Sequence, residues 1–119
     1  MRRVLFLDDS RERHDFVDAL FRQVGGEGCS VRHCYRAADA VNALASEGPF
    51  DCVFLDHDLE QADPDETGMA VAAYIADHLP RDRAPGEVVV HSWNPTGALR
   101  MEQALREAGV PVRRVPFGG

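Results

Sequence analysis

Three short apolar runs in this chain end in side chains able to handle protons or cations. Val4–Leu7 (VLFL) runs into Asp8 and Asp9, Cys52–Leu55 (CVFL) into Asp56, His57 and Asp58, and Val88–Val90 (VVV) into His91 and Ser92. Carboxylates gathered in one place repel one another unless a cation sits among them or some take up protons. Asp8, Asp9 and Asp56 are therefore candidate ligands of a hard divalent cation, Mg²⁺ first among them. A single strand-terminal aspartate reads as a turn former or a helix cap. Three of them, at the ends of two strands, read as a site. Imidazole titrates near neutrality, so His57 and His91 are candidates for general base and general acid, in either order. His57, Asp58 and His91 also have the chemistry of ligands for a softer metal such as zinc.

For these groups to meet, the three runs must be neighbouring parallel strands, whose carboxyl ends share one sheet edge about 4.8 Å apart. Continuous apolar runs of four suit strands covered on both faces. Val31–Tyr35 and Val110–Val115 supply two more strands. Between them lie helical spacings. Phe16, Leu20 and Val24 recur every four residues with Val17 and Phe21 beside them, and Asp9 or Ser10 can cap that helix. Ala37–Ser46 reads as a second helix closed by Gly48. Thr67 can cap a third, with Met69, Ala72, Ala73, Ala76 and Leu79 inward and Pro80 ending it. Asn94 and Pro95 open a fourth, with Ala98, Met101, Leu105 and Ala108 inward and Gly109 as terminator. Strand and helix in alternation predict an α/β fold, a doubly wound five-stranded parallel sheet in one domain over residues 1–119. Ligands of such sheets bind beyond the carboxyl ends of the strands.

Composition agrees and narrows the function. The 119 residues are 45% hydrophobic and 28% charged, ordinary for a globular domain. No window is long enough for a membrane span, so no membrane partner is expected. A net charge of −7 argues against a duplex-DNA binder, which needs a basic face to collect phosphates, though one phosphate needs only a local site. The three cysteines, Cys29, Cys34 and Cys52, cannot all pair within the chain, and buried thiols in a reducing cytoplasm are the expected state. All 13 basic residues are arginine.

Several stretches resemble response-regulator receiver domains. VLFLDDSRER resembles the first strand and acid pair of that family, and FDCVFLD the strand that ends in its phosphoacceptor, with Asp56 at the acceptor position. VVVHS places Ser92 where receivers carry a hydroxyl that touches the phosphoryl group, and AGVPVRRVPF resembles the lead into the last strand. The resemblance implies the flavodoxin-like topology, strand order 2-1-3-4-5, with the last helix absent. One departure concerns the lysine with which receivers contact the phosphoryl group: Val115 stands in its place, and the chain has no lysine at all. The other is the gain of His57 and His91. LDHDL together with HSWNPTGA is similar to the cyclic-phosphate processing receiver-like family. That resemblance implies action on cyclic phosphates, small-molecule nucleotides or 2′,3′-cyclic RNA ends, by a metal-assisted phosphoesterase.

The residues accommodate such a reaction. Opening a cyclic phosphodiester needs an activated water, a proton for the leaving oxygen and relief of charge on the phosphoryl oxygens. His57 and His91 suit the proton steps, and a cation on Asp8, Asp9 and Asp56 suits the charge. Asp58 can orient an imidazole, or simply start the next turn. Ser92 and Asn94 can donate to phosphate oxygens, although Asn94 is equally a helix cap. Of Arg11 and Arg13, just past the acid pair, Arg11 is carried as a phosphate ligand and Arg13 is assigned to the surface. His14, His33 and His78, placed away from the strand ends, are expected to be structural or solvated. The competing reading is a divergent receiver, with Asp56 as phosphoacceptor or the fold as an unphosphorylated interaction module whose partner protein is unknown.

Overall fold

The computed structural model describes residues 2–24, 28–56, 67–91 and 95–115. Along the chain lie β1 (Arg2–Leu7), α1 (Arg11–Val24), β2 (Cys29–Cys34), α2 (Ala37–Ser46), β3 (Cys52–Leu55), α3 (Gly68–Asp77), a 3₁₀ turn (Arg81–Arg83), β4 (Glu87–Val90), α4 (Pro95–Glu107) and β5 (Val112–Arg114). The five strands form one parallel sheet in the order β2-β1-β3-β4-β5. The doubly wound sheet expected from the alternation of strand and helix is present. β2 starts and stops slightly earlier than its apolar run suggests, and β5 is shorter than 110–115.

Side chains alternate between faces along each strand, and this divides the core unequally. Leu5, Leu7, Val53, Leu55, Val88 and Val90 share one face with Ala40, Leu44, Val71, Ile75, Met101 and Leu105, so α2, α3 and α4 all pack there. The opposite face carries Val4, Cys52 and Val89 with Phe21 and Phe54 against them, under α1. α4 buries Gly97, Ala98, Met101 and Leu105, close to the inward face its spacing predicts, and ends in Gly109 at φ +80°, where a residue with a Cβ would be strained.

In two helices the structure decides a face that the spacing left open, in α1, or named only in part, in α3. In α1 the apolar residues form two adjacent stripes, Phe16 with Leu20 and Val17 with Phe21. Phe16 is 57% exposed and Leu20 42%, while Val17 and His14 are buried. The second stripe wins because His14 extends it onto Phe6 and the end of β1. In α3 Val71 and Ile75 are buried with Ala72; of the expected face, Ala72 and Leu79 are buried and Met69 packs against the core, while Ala73 and Ala76 are only half-buried. An alanine-rich helix has almost no contrast between its faces, so its few branched residues decide the rotation. Thr67 stands at the N-cap of α3 without a side-chain cap bond, and Glu47 rather than Gly48 caps the end of α2.

Cys29, Cys34 and Cys52 are all free thiols. Cys29 and Cys34 occupy the two ends of β2, too far apart along an extended strand to bridge. Burial pushes the thiols of Cys34 and Cys52 up to about 11. Among the described residues, no helix is long and apolar enough to cross a membrane.

Candidate functional site

The sheet register builds the site. Phe6 lies level with Phe54, which lies level with Val89, all on the α1 face; Leu7, Leu55 and Val90 form the next rank, on the opposite face. One further step returns to the α1 face and brings Asp8, Asp56 and His91 into a single row. Backbone bonds continue the ladder into it: the Asp56 N–H donates to the Leu7 carbonyl (3.2 Å) and the His91 N–H to the Leu55 carbonyl (3.0 Å). Ligand atoms of Asp8, Asp56 and His91 all lie within 4.8 Å of one another, and all three residues are buried, at 0%, 4% and 1% exposure.

Asp8 is the hub. Its Oδ1 accepts the Ser10 N–H (2.8 Å), while Oδ2 accepts from His91 Nε2 (3.0 Å) and Arg13 Nη1 (3.2 Å). Burial pushes this carboxyl up, but the hydrogen bonds from His91, Ser10 and Arg13 outweigh it and hold the group below its usual value. Asp8 is thus a carboxylate at neutral pH. Arg13 also reaches Asp56, Nη1 to Oδ2 at 3.7 Å, so one guanidinium spans both acids. His91 lies parallel to the Phe6 ring, with 5.1 Å between centroids and 11° between planes. The ring stack fixes the plane of the imidazole and the Asp8 bond fixes its rotation.

Behind Asp8 a second imidazole is anchored. His14 Nε2 bonds the Asp8 main-chain carbonyl (2.8 Å), its Nδ1 faces Nδ1 of His33, and His33 Nε2 reaches Asp18 Oδ1 (2.8 Å). Tyr35 stacks on the His14 ring at 4.0 Å. Burial lowers the His14 value, since charging an enclosed imidazole forfeits its hydration, and the nearby His33 acts in the same direction. His14 therefore braces the strand end as a neutral ring donating through Nε2.

The structure brings together Asp8, Asp56 and His91 of the residues expected from the sequence. Asp9, half-buried just before α1, is not among the three whose ligand atoms converge. His57, Asp58, Ser92 and Asn94 lie outside the described residues. Arg11 is exposed, and Arg13, assigned to the surface from sequence, is the arginine in the site. Helix geometry held the clue. Side chains on a helix lean toward its N-terminus, so a long residue one turn in folds back over the strand ends. Ser10 caps α1, its Oγ accepting the Arg13 N–H at 3.4 Å, which fixes Arg13 at the third helical position. His14 likewise stands beside the strand end, not away from it.

The sequence profile described as "Cyclic-phosphate processing Receiver domain" matches residues 3–107. The chain belongs to that family. Solved structures place the receiver fold beside it at low identity. A CheY-like receiver domain from Methylobacillus flagellatus is 16% identical with a TM-score of 0.69, covering 100% of this chain and 88% of that one. The chemotaxis response regulator CheY4 of Vibrio cholerae is 18% identical with a TM-score of 0.66, again covering 100% and 88%. A Burkholderia pseudomallei response regulator, solved with a phosphorylated aspartic acid, a calcium ion and citrate, is 17% identical with a TM-score of 0.65. The match covers all of this chain but 61% of that regulator's length. At these identities the likeness is one of fold. No curated protein matches the chain.

Within this cyclic-phosphate processing receiver, Val115 follows β5 with its N–H on the Val90 carbonyl (2.9 Å), which sets it level with His91 at the end of the row. Its exposed isopropyl group offers no charge. The cationic group described at the acids comes instead from α1, through Arg13.

Proposed function

We infer that this receiver opens cyclic phosphodiesters as a metal-assisted phosphoesterase, with the row at the carboxyl edge of the sheet as its centre. The observation that carries the reading is the convergence of two buried carboxylates and an imidazole under one guanidinium.

Two hard carboxylate oxygens within 4.8 Å of each other and of an imidazole nitrogen suit Mg²⁺ or Mn²⁺. Asp8 and Asp56 would hold the ion, with Asp9 next in sequence. When bound, it supplies polarisation of the phosphoryl oxygens. In the reaction a water oxygen bonds to phosphorus while one ring P–O bond breaks. The water loses a proton to a base, and the departing alkoxide gains one from an acid. His91, enclosed and tied to Asp8, serves best as a positioning residue that orients the carboxylate. His57, directly after Asp56 in sequence, is the imidazole proposed to meet substrate, with Asp58 orienting it. Ser92 and Asn94 are the proposed donors to phosphate oxygens. Small nucleotides and RNA ends both present the required group.

Purified protein incubated with nucleoside 2′,3′-cyclic phosphates, with Mg²⁺, with Mn²⁺ and with chelator, tests the reading. Metal-dependent ring opening that disappears in Asp56→Asn and in His57→Ala is the expected result. Absence of turnover under every metal refutes it. The receiver fold and the position of Asp56 favour a second reading, phosphoacceptance. Labelling of Asp56 by acetyl phosphate would support it, and the valine at the lysine position speaks against it.

A further inference from the structure

Arg13 occupies the oxygens that a cation would need. Its Nη1 lies 3.2 Å from Asp8 Oδ2 and 3.7 Å from Asp56 Oδ2, on carboxylates whose own oxygens converge for metal binding. A guanidinium and a divalent ion cannot both lie against the same oxygen pair without strong repulsion. Its side chain is one-third exposed and springs from the first turn of α1, so burial does not lock it onto the acids. We propose that Arg13 couples cation and phosphodiester binding: the ion displaces the guanidinium from Asp8 and Asp56, and the displaced guanidinium takes the oxygens of the incoming phosphodiester. The second half rests on the phosphodiester reading above; the competition with the cation does not.

Charge balance gives the coupling its sign. Counting only the two acids that Arg13 spans, Asp8, Asp56 and a divalent ion are neutral together, and a guanidinium that has left those acids carries its positive charge in excess, no longer balanced by them. A phosphodiester monoanion cancels that excess, and its paired oxygens match the fork of a guanidinium. The cation therefore binds weakly while Arg13 stays on the acids and tightly once an anion receives it. By linkage the anion gains from the cation by the same factor. A lysine at the end of β5 would approach the row from beside His91. The arginine on α1 lies across both acids, so in this chain cation entry and guanidinium release are one event.

The test is a titration of Mn²⁺ by calorimetry or electron paramagnetic resonance, with and without diethyl phosphate, an acyclic phosphodiester. Wild type should bind Mn²⁺ more tightly when the phosphodiester is present. Arg13→Gln should bind Mn²⁺ alone roughly tenfold more tightly than wild type, a change of about 1.4 kcal/mol, and its phosphodiester effect should shrink to what direct contact between ion and phosphodiester supplies. Arg13→Lys keeps a charge on a single-headed group and should fall between them, which preserves the test if the glutamine variant does not fold. Mn²⁺ affinity unchanged or weakened in both variants overturns the proposal, as does a wild type indifferent to the phosphodiester. If Mn²⁺ and the phosphodiester are coupled through Arg13 but no cyclic phosphate is turned over, the coupling stands and the phosphoesterase reading falls. If cyclic phosphates are opened but removing Arg13 leaves Mn²⁺ affinity unchanged, the reverse holds.

Discussion

Replacing Asp8 by asparagine should expose how much of the fold depends on its candidate active site. The substitution preserves shape and removes charge. In the wild type Oδ1 accepts the Ser10 N–H, and Oδ2 accepts from both His91 and Arg13. An asparagine that keeps Ser10 satisfied must turn its amide N–H groups toward His91 and Arg13, donor against donor. His91 can change tautomer and accept, but Arg13 cannot. Hydrogen bonds to charged groups contribute about 1.5–3 kcal/mol each. The Arg13 bond is partly exposed and falls below that range, so the loss totals about 3 kcal/mol. For a chain of this length, that lowers the melting temperature by about 12 °C. Thermal unfolding of both proteins in chelator, followed by circular dichroism from pH 7 to pH 3, measures it. The Asp8 carboxyl lies below its ordinary 3.8 in the folded protein, so the unfolded state binds more protons as acid is added. The contribution is therefore complete above pH 3.8 and is lost as pH falls through the lower folded value. A difference under about 1 kcal/mol at pH 7 refutes the account of Asp8 as hub. So does a difference already gone by pH 5.

Other expectations separate the core from the surface. Phe6→Ala, which removes the buried ring beneath His91 and beside His14, should cost about 3–5 kcal/mol, whereas Phe16→Ser on the exposed stripe of α1 should stay within about 0.5 kcal/mol; urea melts compare the two. With a disulfide reagent at pH 8, half-exposed Cys29 should react first. Cys34 and Cys52, pushed up to about 11 by burial, should follow only on unfolding. His91→Gln should lower kcat for cyclic phosphates at least as much as it raises KM, because the residue acts through Asp8; a pure KM effect would contradict the positioning role.

Much of this arrangement is legible in the sequence because the strands are. Val4–Leu7, Cys52–Leu55 and Val88–Val90 are unbroken apolar runs, and such runs between helical spacings have few alternatives to a parallel sheet. Once the strands are placed, alternation puts His91 on the side of Val89 and leaves Asp8 and Asp56 level with it. Helix rotation is less legible. Phe16 and Leu20 are as apolar as Val17 and Phe21, and only the contact of His14 with Phe6 and the Asp8 carbonyl chooses between the stripes. That long-range choice also carries Arg13 over the acids, so the stripe that spacing leaves undecided and the misread arginine share a cause.

The same rotation accounts for how a receiver can dispense with its lysine. Two carboxylates as enclosed as Asp8 and Asp56 need donors, or one would take up a proton. Receivers carry a lysine at the position Val115 holds here, and this chain has no lysine to supply from elsewhere. The described donors come from two other elements. His91 follows β4 and supplies an N–H to Asp8 from within the row, fixed by the Phe6 stack. Arg13 supplies the charge from α1, aimed by the Ser10 cap, which also sets the Ser10 N–H on Asp8. Because His91 and Arg13 share Oδ2, losing either strengthens the demand on the other, so their effects should not add. A double-mutant cycle over His91→Gln and Arg13→Gln, read by denaturant melts, should return an interaction energy of about 0.5–3 kcal/mol. Additivity within about 0.3 kcal/mol would mean that Asp8 does not link them, and that the valine at the lysine position is compensated by some other group.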